Sequence, residues 1–201
     1  MSKSYRQVIS EYISREAKPV EKFSHQPRLY AIAQRIGTGI DHDDDVLFAA
    51  AWLHDLGVFI GHRPEAIEEL VRWDHVRYVM EKVPAILNEA GFPASKIPAV
   101  LEAIRTHQPH DEPTAIEGII LRDADILEQL GAIGILRTVC KVGRDSRFHR
   151  FSDTVNSLQR ALDTLPAKIK LDVTRAMAEP KIAVLRHFLV AADSESFDAL
   201  L

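Results

Sequence analysis

Val46-Leu-Phe-Ala-Ala-Ala-Trp-Leu53, closed by His54-Asp55 and followed by Leu56-Gly57, is the stretch on which the reading of this chain turns. An unbroken apolar run of this kind reads as a buried helix. Asp41, Asp43 and Asp44 stand ahead of it, where free N–H groups and the helix dipole favour carboxylates, and Gly57 suits its end. The spacing predicts a helix from Val46 through Asp55, with two strong metal-ligand types at the C-terminal end of a buried segment. Desolvating a lone carboxylate is costly unless it is paired or bound to a cation. Asp55 therefore calls for a partner, and a metal ion is the natural one.

Outward from that stretch, apolar residues recur at three- and four-residue spacing while alternating runs of Val, Ile and Thr are scarce. The pattern predicts an all-α protein with no strand. Leu29, Ile32, Ala33 and Ile36 mark a helix from about Pro27 to Ile36, with His25 at or just before its start. A long helix from Asp74-His75 to Gly91 contains Pro84, which implies a kink or break. Ile97, Val100, Leu101 and Ile104 mark a helix that finishes near His107, because Pro109 follows. Thr114 and Glu117 fit a capping box for a helix that carries Ile119, Ile120, Asp123, Asp125, Ile126, Leu127 and Leu130. Residues 143–150 read as a basic loop, followed by amphipathic segments near Thr154 to Leu165 and Asp172 to Val190.

The chain has 201 residues, 46% of them hydrophobic, enough for one sizeable core and a single domain. A formal net charge of −4 and a pI near 6.1 give no global basic field to recruit nucleic acid, while small anionic substrates remain allowed. Cys140 is the only cysteine; it excludes an intrachain disulfide or a Cys-rich zinc module and reads as a small buried hydrophobe. The first residues lack an apolar signal core, and no segment approaches the roughly 20 apolar residues of a membrane span. A soluble cytoplasmic protein is expected.

In chain order, His25, His54-Asp55, His75, His107 and Asp125 are all strong ligand types, and all but Asp125 fall near predicted helix ends. With the stretches Ser24-His25, Ala50-Ala-Trp-Leu-His-Asp-Leu-Gly57, Ile104-Arg-Thr-His107 and Arg122-Asp-Ala-Asp-Ile-Leu127 running into Leu130-Gly-Ala-Ile-Gly134, they resemble the HD superfamily of metal-dependent phosphohydrolases. The resemblance covers approximately residues 23 to 140. Asp-Ala-Asp followed by Leu-Gly-Ala-Ile-Gly looks like the small bacterial branch that includes nucleotide pyrophosphohydrolases, and the segments around residues 176–189 look similar to its C-terminal helix.

The resemblance implies a helical bundle in which His25, His54, Asp55 and Asp125 hold a divalent ion (Mn, Fe, Ni, Co, Zn or Mg). Such mixed nitrogen and oxygen donors leave positions for water and substrate. A bound ion acidifies water and polarises a phosphoryl oxygen, so hydrolysis of a phosphoester or phosphoanhydride, with a nucleotide as substrate, is the expected reaction. Asp55 would also orient the attacking water. Asp123 would stand behind the ligands or help to orient the ligand helix. His75 and His107 occupy places where HD proteins hold a second metal or contact the phosphate, and are expected to be catalytic. Gln26 replaces the branch's usual acidic residue after its first His.

Arg63, Arg105, Lys141, Arg144 and Arg147 are the basic residues nearest these motifs in sequence and read as surface charges. His62 reads as an exposed loop residue. Trp52, Phe48 and Leu53 read as core. Two other readings use the same ligand order: an HD-like di-iron oxygenase acting on a small organic substrate, and a nucleotide-sensing module without turnover. The C-terminal helices offer faces on which a homodimer could form.

Overall fold

A computed structural model describes residues 3–145 and 147–196. The described residues form α-helices and short 3-10 turns, with no strand. The chain divides into two compact units, residues 1–122 and 123–201. The first comprises Tyr5–Glu16 (α1), His25–Gly37 (α2), Asp44–Leu53 (α3), Ile67–Leu70 (α4), His75–Glu89 (α5), Ile97–Arg105 (α6) and the start of Ile116–Gln129 (α7). The second comprises the rest of α7, then Gly131–Val139 (α8), Phe151–Thr164 (α9) and Asp172–Glu195 (α10). The division falls inside α7, upstream of the loop read at residues 143–150. α5 and α10 run without interruption past Pro84 and Pro180.

Helix α3 is the centre of the first unit. Every residue from Val46 to Leu53 is buried, and α1, α2 and α6 pack around it. Asp43 is its N-cap: Oδ1 accepts from the N–H groups of Asp45 at 3.0 Å and Val46 at 3.3 Å. The helix stops at Leu53, short of the Asp55 expected from sequence. The reason is local, for His54 Nδ1 bonds the Ala51 carbonyl at 3.0 Å, which a continued helix would offer to the Asp55 N–H.

Charges fix the other end of α3. Arg6 Nη2 reaches Asp44 Oδ2 at 2.8 Å and Asp45 Oδ1 at 2.6 Å, while Lys96 Nζ reaches Asp43 and Asp45, each at 2.8 Å. Tyr5 donates to Asp45, and Tyr30 donates to Asp44 at 2.8 Å. Glu117 accepts from the Asp43 N–H at 2.8 Å. The expected capping box is therefore corrected: α7 starts at Ile116, and Glu117 ties down a neighbouring helix cap instead of pairing with Thr114.

In the second unit, α10 packs against α8 and α9. Asp123 is fully buried; Oδ1 accepts from the Lys170 N–H at 3.0 Å and Oδ2 from the Leu171 N–H at 2.9 Å. It thereby fastens the backbone just before α10. A Cβ on Gly134 would lie 2.2 Å from the Gln129 carbonyl oxygen, which explains a glycine in the Leu130-Gly-Ala-Ile-Gly134 stretch. Cys140 is exposed, against expectation, because it caps the C-terminal end of α8 and lies off its packed face. No helix among the described residues is long and apolar enough to cross a membrane.

Hydrogen bonds from Arg6, Lys96 and Tyr5 hold the Asp45 carboxyl well below the usual carboxylate range. A depressed folded-state pKa contributes stability above the unfolded value, near 3.9, that is lost as pH falls through the folded one. Asp45→Asn is expected to lower unfolding free energy by about 1–2 kcal/mol at pH 7. In urea titrations across pH, its difference from the native protein should begin to narrow near pH 4 and close only as pH falls through the depressed Asp45 value.

Candidate metal centre

The first unit brings four imidazoles into a row. Ring centroids lie 5.4 Å apart for His25 and His54, 4.9 Å for His54 and His107, and 6.0 Å for His107 and His75. Asp55 faces them: Oδ2 is 3.7 Å from His25 Nε2 and Oδ1 is 3.6 Å from His54 Nε2. His54, Asp55 and His107 each offer a donor atom within 4.8 Å of the others. His25, His54 and His107 are buried and His75 is half-buried. The Asp55 side chain keeps 22% exposure, so the cluster opens to solvent at the carboxylate.

Helix ends produce this arrangement. The last carbonyls of a helix lack intrahelical donors. His54 and His107 each supply one from Nδ1, to the carbonyl three residues back: Ala51 at 3.0 Å and Ile104 at 2.6 Å. A ring whose Nδ1–H is so engaged presents the Nε2 lone pair on its other side, the tautomer and orientation that metal-ligating histidines use. The donor set suits a divalent transition ion: neutral imidazole nitrogen with a carboxylate, and a solvent-facing opening.

Burial by itself raises the Asp55 carboxyl pKa, but attraction to the imidazolium forms of His54, His25, His107 and His75 outweighs it and holds the group well below the usual range. Asp55 is therefore an anion throughout the neutral range.

The chain that links Asp55 to His75 is shaped by Gly57. A Cβ there would sit 2.8 Å from the His75 carbonyl oxygen and 3.0 Å from its Cα. Only glycine lets the turn after Asp55 lie against the first residue of α5. Trp73 locks the contact from the other side, its indole N–H donating to the Gly57 carbonyl at 2.8 Å. Gln108, which sequence reading did not single out, has its amide nitrogen 3.5 Å from His75 Nε2. Its position directly after His107, at a helix end, is the signal that was available.

His62 corrects an expectation. It is not an exposed loop residue: its side chain is 12% exposed, with Nδ1 2.9 Å from the Tyr78 hydroxyl and Nε2 3.1 Å from Glu16 Oε2. Gln26 is buried, and its amide, oriented to satisfy both ends, donates to the carbonyls of Lys22 at 3.1 Å and Phe23 at 3.2 Å. A carboxylate could not donate there, so the departure at this position serves the turn ahead of α2. Arg105 pairs with Glu102 and Arg147 with Asp145. Asp125 lies in the second unit, half-buried on α7, with Oδ2 accepting from Gln129 Nε2 at 3.0 Å.

Residues 23–130 match the HD domain, more than half of the chain. The chain belongs to the HD-domain family. Similar solved structures include a Lactobacillus plantarum protein at 20% identity, TM-score 0.73, covering 97% of this chain and 98% of that one. An HD-superfamily hydrolase from Bacillus thuringiensis shows 21% identity and TM-score 0.69, with 97% of each chain covered. Bacillus subtilis YpgQ, solved in complex with ADP, shows 20% identity and TM-score 0.71, covering 94% of this chain and 97% of that one. These likenesses establish the shared fold. No curated protein matches.

The Gly57 contact carries a prediction. Gly57→Ala is expected to cost about 1–3 kcal/mol of stability through overpacking. It should also displace His75, moving the His75 ring resonances in a proton–carbon NMR spectrum while those of His187, on α10, stay in place.

Proposed function

We propose that this HD protein is a metal-dependent phosphohydrolase that cleaves a phosphoester or phosphoanhydride, with a nucleotide as substrate. The observation that supports it most is the anionic Asp55 beside the Nε2 lone pairs of buried histidines whose Nδ1–H groups are already engaged. His25, His54 and Asp55 are three of the proposed ligands. Asp125 is the fourth: of the two acids in Asp123-Ala-Asp125, both oxygens of Asp123 are taken by backbone N–H groups. A bound divalent ion supplies Lewis acidity and a water acidic enough to attack phosphorus near neutral pH.

The remaining steps belong to the side chains. Asp55, ionised and partly open to solvent, orients the attacking water with the oxygen not given to the ion. His107 and His75 extend the row beyond His54 and would contact the phosphate or hold a second ion. Binding of ADP by the similarly folded B. subtilis protein supports a nucleotide. The resemblance of Asp123-Ala-Asp125 and Leu130-Gly-Ala-Ile-Gly134 to the pyrophosphohydrolase branch supports a phosphoanhydride. A cytoplasmic setting and a homodimer complete the proposal.

Release of phosphate or pyrophosphate from a panel of nucleoside di- and triphosphates with Mn²⁺ tests it. Turnover is expected in the native protein, with Asp55→Asn reducing it by about 10²–10⁴-fold. The four-histidine row also fits the oxygenase reading, and oxygen consumption by an iron-loaded protein without any phosphate release would replace the proposal with it. Nucleotide-dependent thermal stabilisation without product would favour the sensor.

A further inference from the structure

The first unit holds a buried cation that the proposed chemistry does not use. Arg122, on α7, is 1% exposed. Its Nη2 donates to the Pro109 carbonyl at 3.2 Å, and its Nε and Nη1 have no hydrogen-bond partner among the described residues. Buried polar groups are paired with few exceptions, and an unpaired buried charge is among the most costly of them. A guanidinium offers its donors as a planar fork that fits an oxyanion through two parallel hydrogen bonds.

Its place in the fold suggests which oxyanion. Gly118, one turn earlier on α7, lies close under the end of α6, where a Cβ would come 3.0 Å from Thr106 Oγ1 and 3.2 Å from Pro113. The same stretch of α7 thus runs beneath the turn that begins at His107 and Gln108. Pro109 is two residues from His107, a chain distance of at most about 7 Å. The guanidinium is hydrogen-bonded to the turn that follows the third imidazole of the row and Gln108.

We infer that Arg122 is an anion-binding residue whose under-paired guanidinium receives a phosphoryl oxyanion of a small ligand on its free edge when the turn at residues 107–111 admits it. The inference rests on the phosphohydrolase reading for the identity of the anion, and on the buried fork alone for its charge. The Pro109 carbonyl takes one Nη2 hydrogen and leaves the other edge of the guanidinium, where the second Nη2 hydrogen stands parallel to an unpaired N–H, for the ligand.

The test compares native protein with Arg122→Met and Arg122→Lys, using inorganic phosphate as the probe in isothermal titration calorimetry, with thermal unfolding alongside. Replacing an uncompensated buried charge by an apolar side chain of similar length is often neutral or stabilising. Arg122→Met is therefore expected to keep or raise Tm while binding phosphate at least about tenfold more weakly, the loss expected for hydrogen bonds to a charged group. Arg122→Lys retains charge without the fork and is expected to bind phosphate weakly too, which keeps the inference testable if the Met variant fails to fold. Native phosphate affinity in either folded variant would overturn it, as would a native protein that binds no phosphate. A drop in phosphate affinity without nucleotide hydrolysis by the native protein would leave the anion site standing and remove the reaction. Hydrolysis with phosphate affinity and KM unchanged in Arg122→Met would do the reverse.

Discussion

The hydrogen bond from His54 Nδ1 to the Ala51 carbonyl decides three things at once. It ends α3 by taking the carbonyl that the next N–H would use, turns the chain so that Asp55 leaves the helix axis, and sets the imidazole tautomer with its Nε2 lone pair outward. His107 repeats the device on the Ile104 carbonyl at the end of α6. Two helix termini, each left with an unsatisfied acceptor by the geometry of the α-helix, thereby aim two nitrogen donors. Aiming the imidazoles in this way costs the fold little, because the carbonyls that orient them had to be satisfied in any case.

The rest of the first unit holds those helix ends in register. Arg6, Tyr30, Lys96 and Glu117 reach the N-terminus of α3 from four other segments, so the helix cannot slide along its axis without breaking part-buried charge pairs. Gly57 and Trp73 bring the start of α5 against the turn after Asp55. Placement of His75 is thus a backbone matter, set by a missing methyl group and one indole hydrogen bond. In the second unit Asp123 gives its carboxylate to the backbone ahead of α10.

Much of this was legible in the sequence. The apolar run Val46–Leu53 and the three- and four-residue periodicity define a helical protein, and the ligand types fall at helix ends because turn and cap residues lie beside them. What was not legible depends on contacts far apart in the chain. Helix α1 carries a weak apolar stripe and gains its place from Arg6 and Tyr5 meeting the acids of α3. Glu117 matched a local capping pattern, yet its partner is the Asp43 N–H, 74 residues away. His62 lies in a polar loop, and only the meeting of α1 and α5 buries it between Glu16 and Tyr78. The end of α3 was misplaced by two residues because propensity does not register a side chain competing for a backbone carbonyl. In each case the local pattern was sound and a long-range partner redirected it.

The most direct test of the account is the metal content of the protein, read by elemental mass spectrometry after purification without chelator or immobilised metal, for the native chain and for Asp55→Ala. If the imidazole row and Asp55 form a cation site, the native protein should carry about one divalent transition ion per chain and the variant almost none, as a mixed nitrogen and oxygen donor set that loses its carboxylate requires. Equal metal in both proteins, or none in either after Mn²⁺ or Zn²⁺ is offered, would contradict it.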